Sequence, residues 1–198
     1  MRLAFLASNN GSGMRAVVRA IESGELAAQA RVLVSNRRDA PAMAFARDHG
    51  VECLWIPTAA DLSGADARLT AALARAETEW VVLSGYLRKL GPRVLEAYPS
   101  RILNIHPALL PKFGGLGLFG RRVHEAVLAS GEARTGASVH VVDGEYDHGP
   151  VVAQTEVDIA PGDTALDIER KVTAVEPGLL VETLRGIAEG RITVPSSG

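Results

Sequence analysis

Residues 80–107 read WVVLSGYLRKLGPRVLEAYPSRILNIHP. Two short apolar runs, Trp80 to Ser84 and Arg101 to Ile105, flank a segment that reads as a short helix from Pro92 to Ala97. Apolar runs of this length, bounded by glycine and proline, fit strands buried on both faces. Two strands joined through a helix form a β-α-β unit. Repeated, that unit gives a parallel sheet covered by helices on both sides.

Toward the amino terminus the same alternation continues. Leu3 to Ala7 reads as a buried strand. Met14 to Ile21 has helical spacing, with Ala16, Val17, Ala20 and Ile21 on one side. Arg31 to Ser35 is a strand. Pro41 to His49 is a helix with Pro41 in its first turn and Gly50 as its stop. Glu52 to Ile56 is strand-like, and Ala65 to Ala76 is alanine-rich and helical. Toward the carboxyl terminus the style changes. Lys112 to Gly120 holds four glycines among nine residues and is expected to be a loop. Val123 to Leu128 is a helix. Ala137 to Val142 and Pro150 to Val157 are strands joined by the turn-rich Asp143 to Gly149, and are expected to extend the same sheet. Thr164 to Ile187 is helical, with a break or kink expected at Pro177. The tail after Val194 is expected to be frayed.

The chain has 198 residues, of which 47% are hydrophobic and 22% charged. A single domain of this size buries roughly 70% of its unfolded surface. A net charge of −2 and a pI near 6.2 argue against disorder and against an electrostatic nucleic-acid binder. One cysteine, Cys53, excludes an intramolecular disulfide and a cysteine-built zinc site. It also suits a reducing cytosol. No apolar run approaches the roughly 20 residues of a membrane span. The opening MRLAFLASNNGSG lacks the pattern of a signal peptide.

In parallel sheets of this kind ligands sit beyond the carboxyl ends of the strands. Three polar clusters fall there: Ser8 to Gly13, Gly85 to Lys89, and Asn104 to Pro107. Glycines in the first let backbone amides approach an anion, and a helix amino end adds positive potential. It has neither the Gly-Lys-Ser/Thr ending of a P-loop nor G-x-G-x-x-G, and it reads equally as a tight turn with Ser12 as helix cap. In Asn104-Ile105-His106, alternation puts the amide and the imidazole on one face. That pair offers a donor to a developing oxyanion and a group that exchanges protons near neutrality. The bland alternative is a buried histidine that satisfies the backbone. Asp147, in the turn Asp143 to Pro150, is placed to orient or charge His106 if the two strand ends are neighbours. Such aspartates otherwise cap solvated turns.

Other histidines fit plainer roles. His124 reads as a surface or helix-packing residue, His140 as facing solvent or the other side of the sheet, and His49 as a helix-end residue. No pair has the H-x-x-x-H spacing of a metal site. Cys53 reads as core. Ser12 and Ser84 lack a nucleophile-elbow context.

Two stretches carry a resemblance: SGYLRKLGPRVLEAYPSRILNIHPALLPKFGG, and downstream VHEAVLASGEARTGASVHVVDGEYDHGPVVAQ. Together with the first loop they resemble the phosphoribosylglycinamide formyltransferases, folate-dependent enzymes of purine synthesis. The likeness runs from Arg2 to about Ile192, and the N-I-H-P-A-L-L-P core followed by D-x-G-P is its most specific part. It implies an α/β fold: a single formyltransferase-type domain over 1–198, with a mostly parallel sheet flanked by helices. The Rossmann-like half, 1–100, would bind phosphate, and 101–192 would be the catalytic and folate-binding half. It implies transfer of a formyl group from 10-formyltetrahydrofolate to the amino group of glycinamide ribonucleotide, without a metal. Asn104, His106 and Asp147 match the catalytic triad, and Gly11, Ser12 and Gly13 the phosphate loop. Leu87, Arg88, Lys89 and Leu90, with Asp143, Gly144, Glu145, Tyr146 and Asp147, match the folate wall, and Glu176 lies where the substrate amine is met. A cytoplasmic monomer or homodimer with small-molecule substrates, and neither nucleic-acid nor membrane partners, is expected.

The departures are specific. Asn9 stands for the usual glycine, Gly13 for the usual asparagine, and His148 for threonine or glycine. Leu62-Ser63-Gly64 occupies the place of a folate-binding arginine, with Arg68 too far along to align. Glu176-Pro177 stands for Glu-His, and the stretch LGLFGRRVHEAV, residues 116–127, resembles the variant with the longer glycine-rich loop. Methionyl-tRNA formyltransferases add a carboxyl-terminal domain and formyltetrahydrofolate deformylases a leading one, and the length and start of this chain favour neither. The rival activities are deformylation, or formyl transfer to another amino sugar nucleotide. The rival of another class is an inactive phosphometabolite-binding module.

Overall fold

The computed structural model describes residues 1–58 and 61–196. Ser197 and Gly198, the end of the expected frayed tail, lie outside them. In chain order the elements are β1 (Arg2–Leu6), α1 (Ser12–Glu22), β2 (Gln29–Ser35), α2 (Pro41–Asp48), β3 (Glu52–Trp55), α3 (Leu62–Arg75) and β4 (Trp80–Leu83). They continue with α4 (Pro92–Ala97), β5 (Ile102–His106), α5 (Arg121–Ser130), β6 (Arg134–Val141), β7 (Val151–Asp158) and α6 (Ala165–Ala188). The strands form one seven-stranded sheet in the order β3-β2-β1-β4-β5-β6-β7. Two compact units are delimited between Leu103 and Asn104, inside β5.

In the first unit β1 pairs in parallel with both β2 and β4, and β2 with β3. The chain winds outward from β1 to β3 and returns to β4 on the other side of β1. This reversal brings the loops after β1 and β4 together at the carboxyl ends of their strands, where such sheets bind ligands. Leu3, Ala4, Phe5 and Leu6 are wholly buried, as are Val81 and Val82. The apolar runs are continuous because both sheet faces are covered. Helix stops follow backbone chemistry: Gly50, after α2, has φ +69°, a conformation that costs glycine little.

In the second unit β6 and β7 are antiparallel, as their turn-rich connection requires. Their register runs from Arg134↔Asp158 to Val139↔Ala153, then shifts to His140↔Val151. Ala108, Val123, Val127, Ala137, Ile168 and Val172 form a buried cluster beneath α5 and α6. Helix α6 opens on a capping box, Thr164 with Asp167. It corrects the expectation of a break at Pro177, because one helix of 24 residues continues through that position. Pro177 removes one N–H from the ladder, but Ile168 and Val172 before it and Leu180, Val181 and Leu184 after it are all buried. Packing of both halves outweighs the lost bond.

Candidate active site

The first unit presents an anion cradle. Gly11, not Ser12, caps α1, with φ 63° and ψ 49°. A left-handed residue followed by helical ones turns successive N–H groups toward one point, in the manner of an anion-binding nest. The first amides of a helix have no partner within it. Met14 N–H is taken by Ser84 Oγ at 3.0 Å, so Gly11, Ser12 and Gly13 carry the amides that remain for a ligand. Ser8, missed as an individual residue in the sequence, organises this end. Its buried hydroxyl donates to Asn36 Oδ1 at 2.6 Å and accepts from Leu87 N–H at 2.8 Å, while Ser8 N–H reaches the Gly85 carbonyl at 3.1 Å. One side chain thus ties together the loops after β1, β2 and β4. In the last of these, Leu87, Arg88 and Lys89 are exposed, whereas Leu90 is buried in the core and anchors the segment.

The second unit gathers the reactive groups. Asn104 and His106 lie on β5, with His106 only 3% exposed. His106 Nδ1 is 3.4 Å from Asp147 Oδ2, the neighbourhood expected from the sequence. Its Nε2 is 2.8 Å from the Phe113 carbonyl, a distance that requires a proton on Nε2. Gly115 N–H donates to Asp147 Oδ2 at 3.0 Å, so the glycine-rich loop is bound to the carboxylate. Phe113 and Asp147 both adopt positive φ, 59° and 54°.

His140 corrects the sequence expectation. It is 2% exposed, with Nδ1 2.9 Å from the Val141 carbonyl and Nε2 3.0 Å from Asn104 Nδ2. Strand β6 is buried on both faces from Thr135 to Val141, so alternation with Val139 and Val141 did not imply solvent. Nδ1 donates to the carbonyl, so in the neutral ring Nε2 accepts from Asn104, fixing that amide with its nitrogen toward His140. One Asn104 N–H remains for a ligand. Ser138, on the same face two residues earlier, accepts from Leu110 N–H at 3.0 Å and donates to the Ala108 carbonyl at 2.6 Å. It fixes the chain just after His106.

Burial holds the His106 imidazole below its ordinary value of 6.5, outweighing the upward pull of Asp147 and of the Phe113 carbonyl. Asp147 raises His106 as expected but does not win. Burial pushes the Asp147 carboxyl upward, yet the His140 and His106 rings and the Gly115 N–H bring it below the usual range. Glu176, on α6, is pushed up to about 7 by burial, so it exchanges a proton near neutrality. In the turn, Asp143 accepts from Glu145 N–H at 2.8 Å and lies 2.9 Å from His148 Nδ1. Gly144 and Tyr146 are exposed. His124 is buried, not on the surface. His49 pairs with Glu22 at 2.7 Å. Cys53 is half-buried, and burial raises its thiol. Among the described residues no group of three metal-ligating side chains comes together, and no helix is long and apolar enough to cross a membrane.

A mostly parallel sheet flanked by helices defines a class of α/β proteins, and sequence comparison narrows it to a family. Residues 1–184 match the model of the formyl transferase family, and the chain belongs to that family. Among its relatives, the chloroplastic phosphoribosylglycinamide formyltransferase of Arabidopsis thaliana is 37% identical over 194 residues, covering 96% of this chain and 66% of the relative. The chain therefore spans just under two thirds of that plant protein. The phosphoribosylglycinamide formyltransferase of Escherichia coli (strain K12) is 34% identical, covering 97% of this chain and 89% of the relative. The crystal structure of glycinamide ribonucleotide transformylase 1 from Symbiobacterium toebii superposes with a TM-score of 0.91 at 33% identity. That match covers 100% of this chain and 93% of the other.

Proposed function

We propose that this chain transfers a formyl group from 10-formyltetrahydrofolate to the amino group of glycinamide ribonucleotide, the activity its relatives' names describe. The observation that carries the proposal is the convergence of Asn104, His106, His140 and Asp147 in one buried cluster. The amine lone pair attacks the formyl carbon, a C–N bond forms, and the carbonyl electrons move to oxygen. The C–N bond to the folate then breaks, its electron pair stays on the folate nitrogen, and the proton lost by the amine ends there. The tetrahedral oxyanion needs donors aimed in advance. Asn104 supplies the N–H not given to His140, and His106 supplies the Nε2–H now held by the Phe113 carbonyl. The proton lost by the amine charges the His106 ring, Asp147 stabilises the imidazolium so formed, and the charged ring then acts as general acid, giving a proton to the leaving folate nitrogen and returning to neutral. Glu176, titrating near neutrality, suits a contact with the substrate amine. The first unit's cradle, Gly11 to Gly13, holds the ribose phosphate. In the second unit the turn 143–147 contributes to holding the folate.

Loss of an oxyanion donor raises a barrier by about 2.7–4 kcal/mol. Asn104→Ala and His106→Ala are each expected to lower kcat by about a hundredfold or more, measured by steady-state release of the folate product with circular dichroism confirming the fold. Near-normal turnover in a folded variant of either residue would remove it from the proposed mechanism.

A further inference from the structure

We propose that Arg37 is a phosphate ligand of the loop after β1, delivered there by Asn9. The inference deepens the proposed function and rests on its assignment of ribose phosphate to Gly11–Gly13. The cradle residues Gly11–Gly13 offer backbone donors and no charged side chain: Gly13 has no side chain, Ser12 contributes one hydroxyl, and the exposed Asn9 and Asn10 before them carry neutral amides. A phosphomonoester dianion held by amides alone keeps most of its charge uncompensated, and arginine is the side chain whose planar fork matches phosphate oxygens.

The loop after β2 is laid against this cradle. Ala42 N–H donates to the Asn9 carbonyl at 3.0 Å. Arg15 donates to the carbonyls of Asn10 at 2.8 Å and Pro41 at 3.1 Å, and its guanidinium lies 4.7 Å over the Phe45 ring. Arg15 is thus spent on holding the two loops together. Arg37 is held differently. Its Nη1 donates to Asn9 Oδ1 at 2.9 Å, two residues before Gly11. Its Nη2 faces Asp39 Oδ2 at 3.4 Å, where both side chains are exposed, 50% and 78%. An exposed pair of this kind is worth little and exchanges readily. A phosphate on the cradle displaces Asp39 and takes the fork.

Asn9 is the residue that makes this possible. A glycine at position 9 has no acceptor to park a guanidinium beside the loop. Gly13 offers no side-chain donor, and Arg37, held at Asn9, brings a charged one from the loop after β2. The consequence is selectivity for a phosphorylated acceptor over its dephosphorylated nucleoside.

The test is initial-rate kinetics on the full chain, with both substrates varied. Arg37→Ala is expected to raise the KM for glycinamide ribonucleotide roughly tenfold or more, the scale of one charge-assisted hydrogen bond. The effect should fall on that KM rather than on kcat or on the KM for the folate. Arg37→Lys should recover only part of it, because an ammonium lacks the fork. Asn9→Gly should raise the same KM by a smaller factor, and adding it to Arg37→Ala should have little further effect. Inorganic phosphate, as a competitive inhibitor against the ribonucleotide, should lose potency in Arg37→Ala in parallel. If the wild-type chain turns over the ribonucleotide and Arg37→Ala leaves its KM and phosphate inhibition as they were, the Arg37 assignment is wrong and the proposed function stands. If the wild-type chain does not turn over the ribonucleotide at all, both fall together.

Discussion

At the scale of single residues, the proposed chemistry turns on His106. Both its ring nitrogens face acceptors, the Phe113 carbonyl and Asp147, so local geometry favours the imidazolium. Burial opposes it and prevails, leaving the ring below 6.5. In the proposed mechanism an imidazole that is neutral at rest takes up the proton lost by the amine and, once charged, serves as general acid toward the leaving nitrogen. NMR titration of His106 should therefore give a value below 6.5 in the wild-type chain and a still lower one in Asp147→Asn, which keeps the shape and removes the charge. A value that rises on that substitution would mean that Asp147 does not act on the ring. The sign carries over to stability. The folded chain binds this proton less readily than the unfolded one, so the contribution is present above the unfolded value and is lost as pH falls from about 6.5.

At the scale of elements, the loops around the first-unit cradle are held by groups that sequence spacing does not flag. Helix α4 has no side-chain cap of its own. Asp66, buried on α3, accepts from Arg93 N–H at 2.9 Å and Val94 N–H at 3.3 Å, capping α4 from a neighbouring helix. Asp66→Ala should destabilise the chain by about 1–3 kcal/mol, the cost of leaving buried amides unpaired, as read by denaturant unfolding. A change within experimental error would show that the amides find other partners. The elements themselves were legible, because apolar runs, Pro41, Pro92 and Gly50 mark strands and helix ends locally. Asn104, His106 and Asp147 were legible as a set because a strand's alternation and a motif place them. His140 was not, since alternation carries no inside-outside signal in a strand buried on both faces. Pro177 starts no new helix, because the tertiary packing on either side of it outweighs the local rule about the helix ladder. Ser8 and Asp66 act through contacts 27 residues or more away, beyond the reach of any local pattern.

At the scale of the whole molecule, the groups proposed to hold phosphate and those proposed to make bonds belong to different compact units, Met1–Leu103 and Asn104–Gly198. The first carries the loop proposed as an anion cradle, and the second carries the side chains proposed to transfer protons and bind the oxyanion. A chain that only bound a phosphometabolite would use the first and have no need for an intact Asn104, His106 and Asp147. A deformylase would use the second, with water as acceptor. The measurement that separates these is a steady-state assay with 10-formyltetrahydrofolate, with and without glycinamide ribonucleotide, following the deformylated folate. Turnover that depends on the ribonucleotide is the predicted result. Equal turnover in its absence would identify water as the acceptor and contradict the account, as would silence in both conditions.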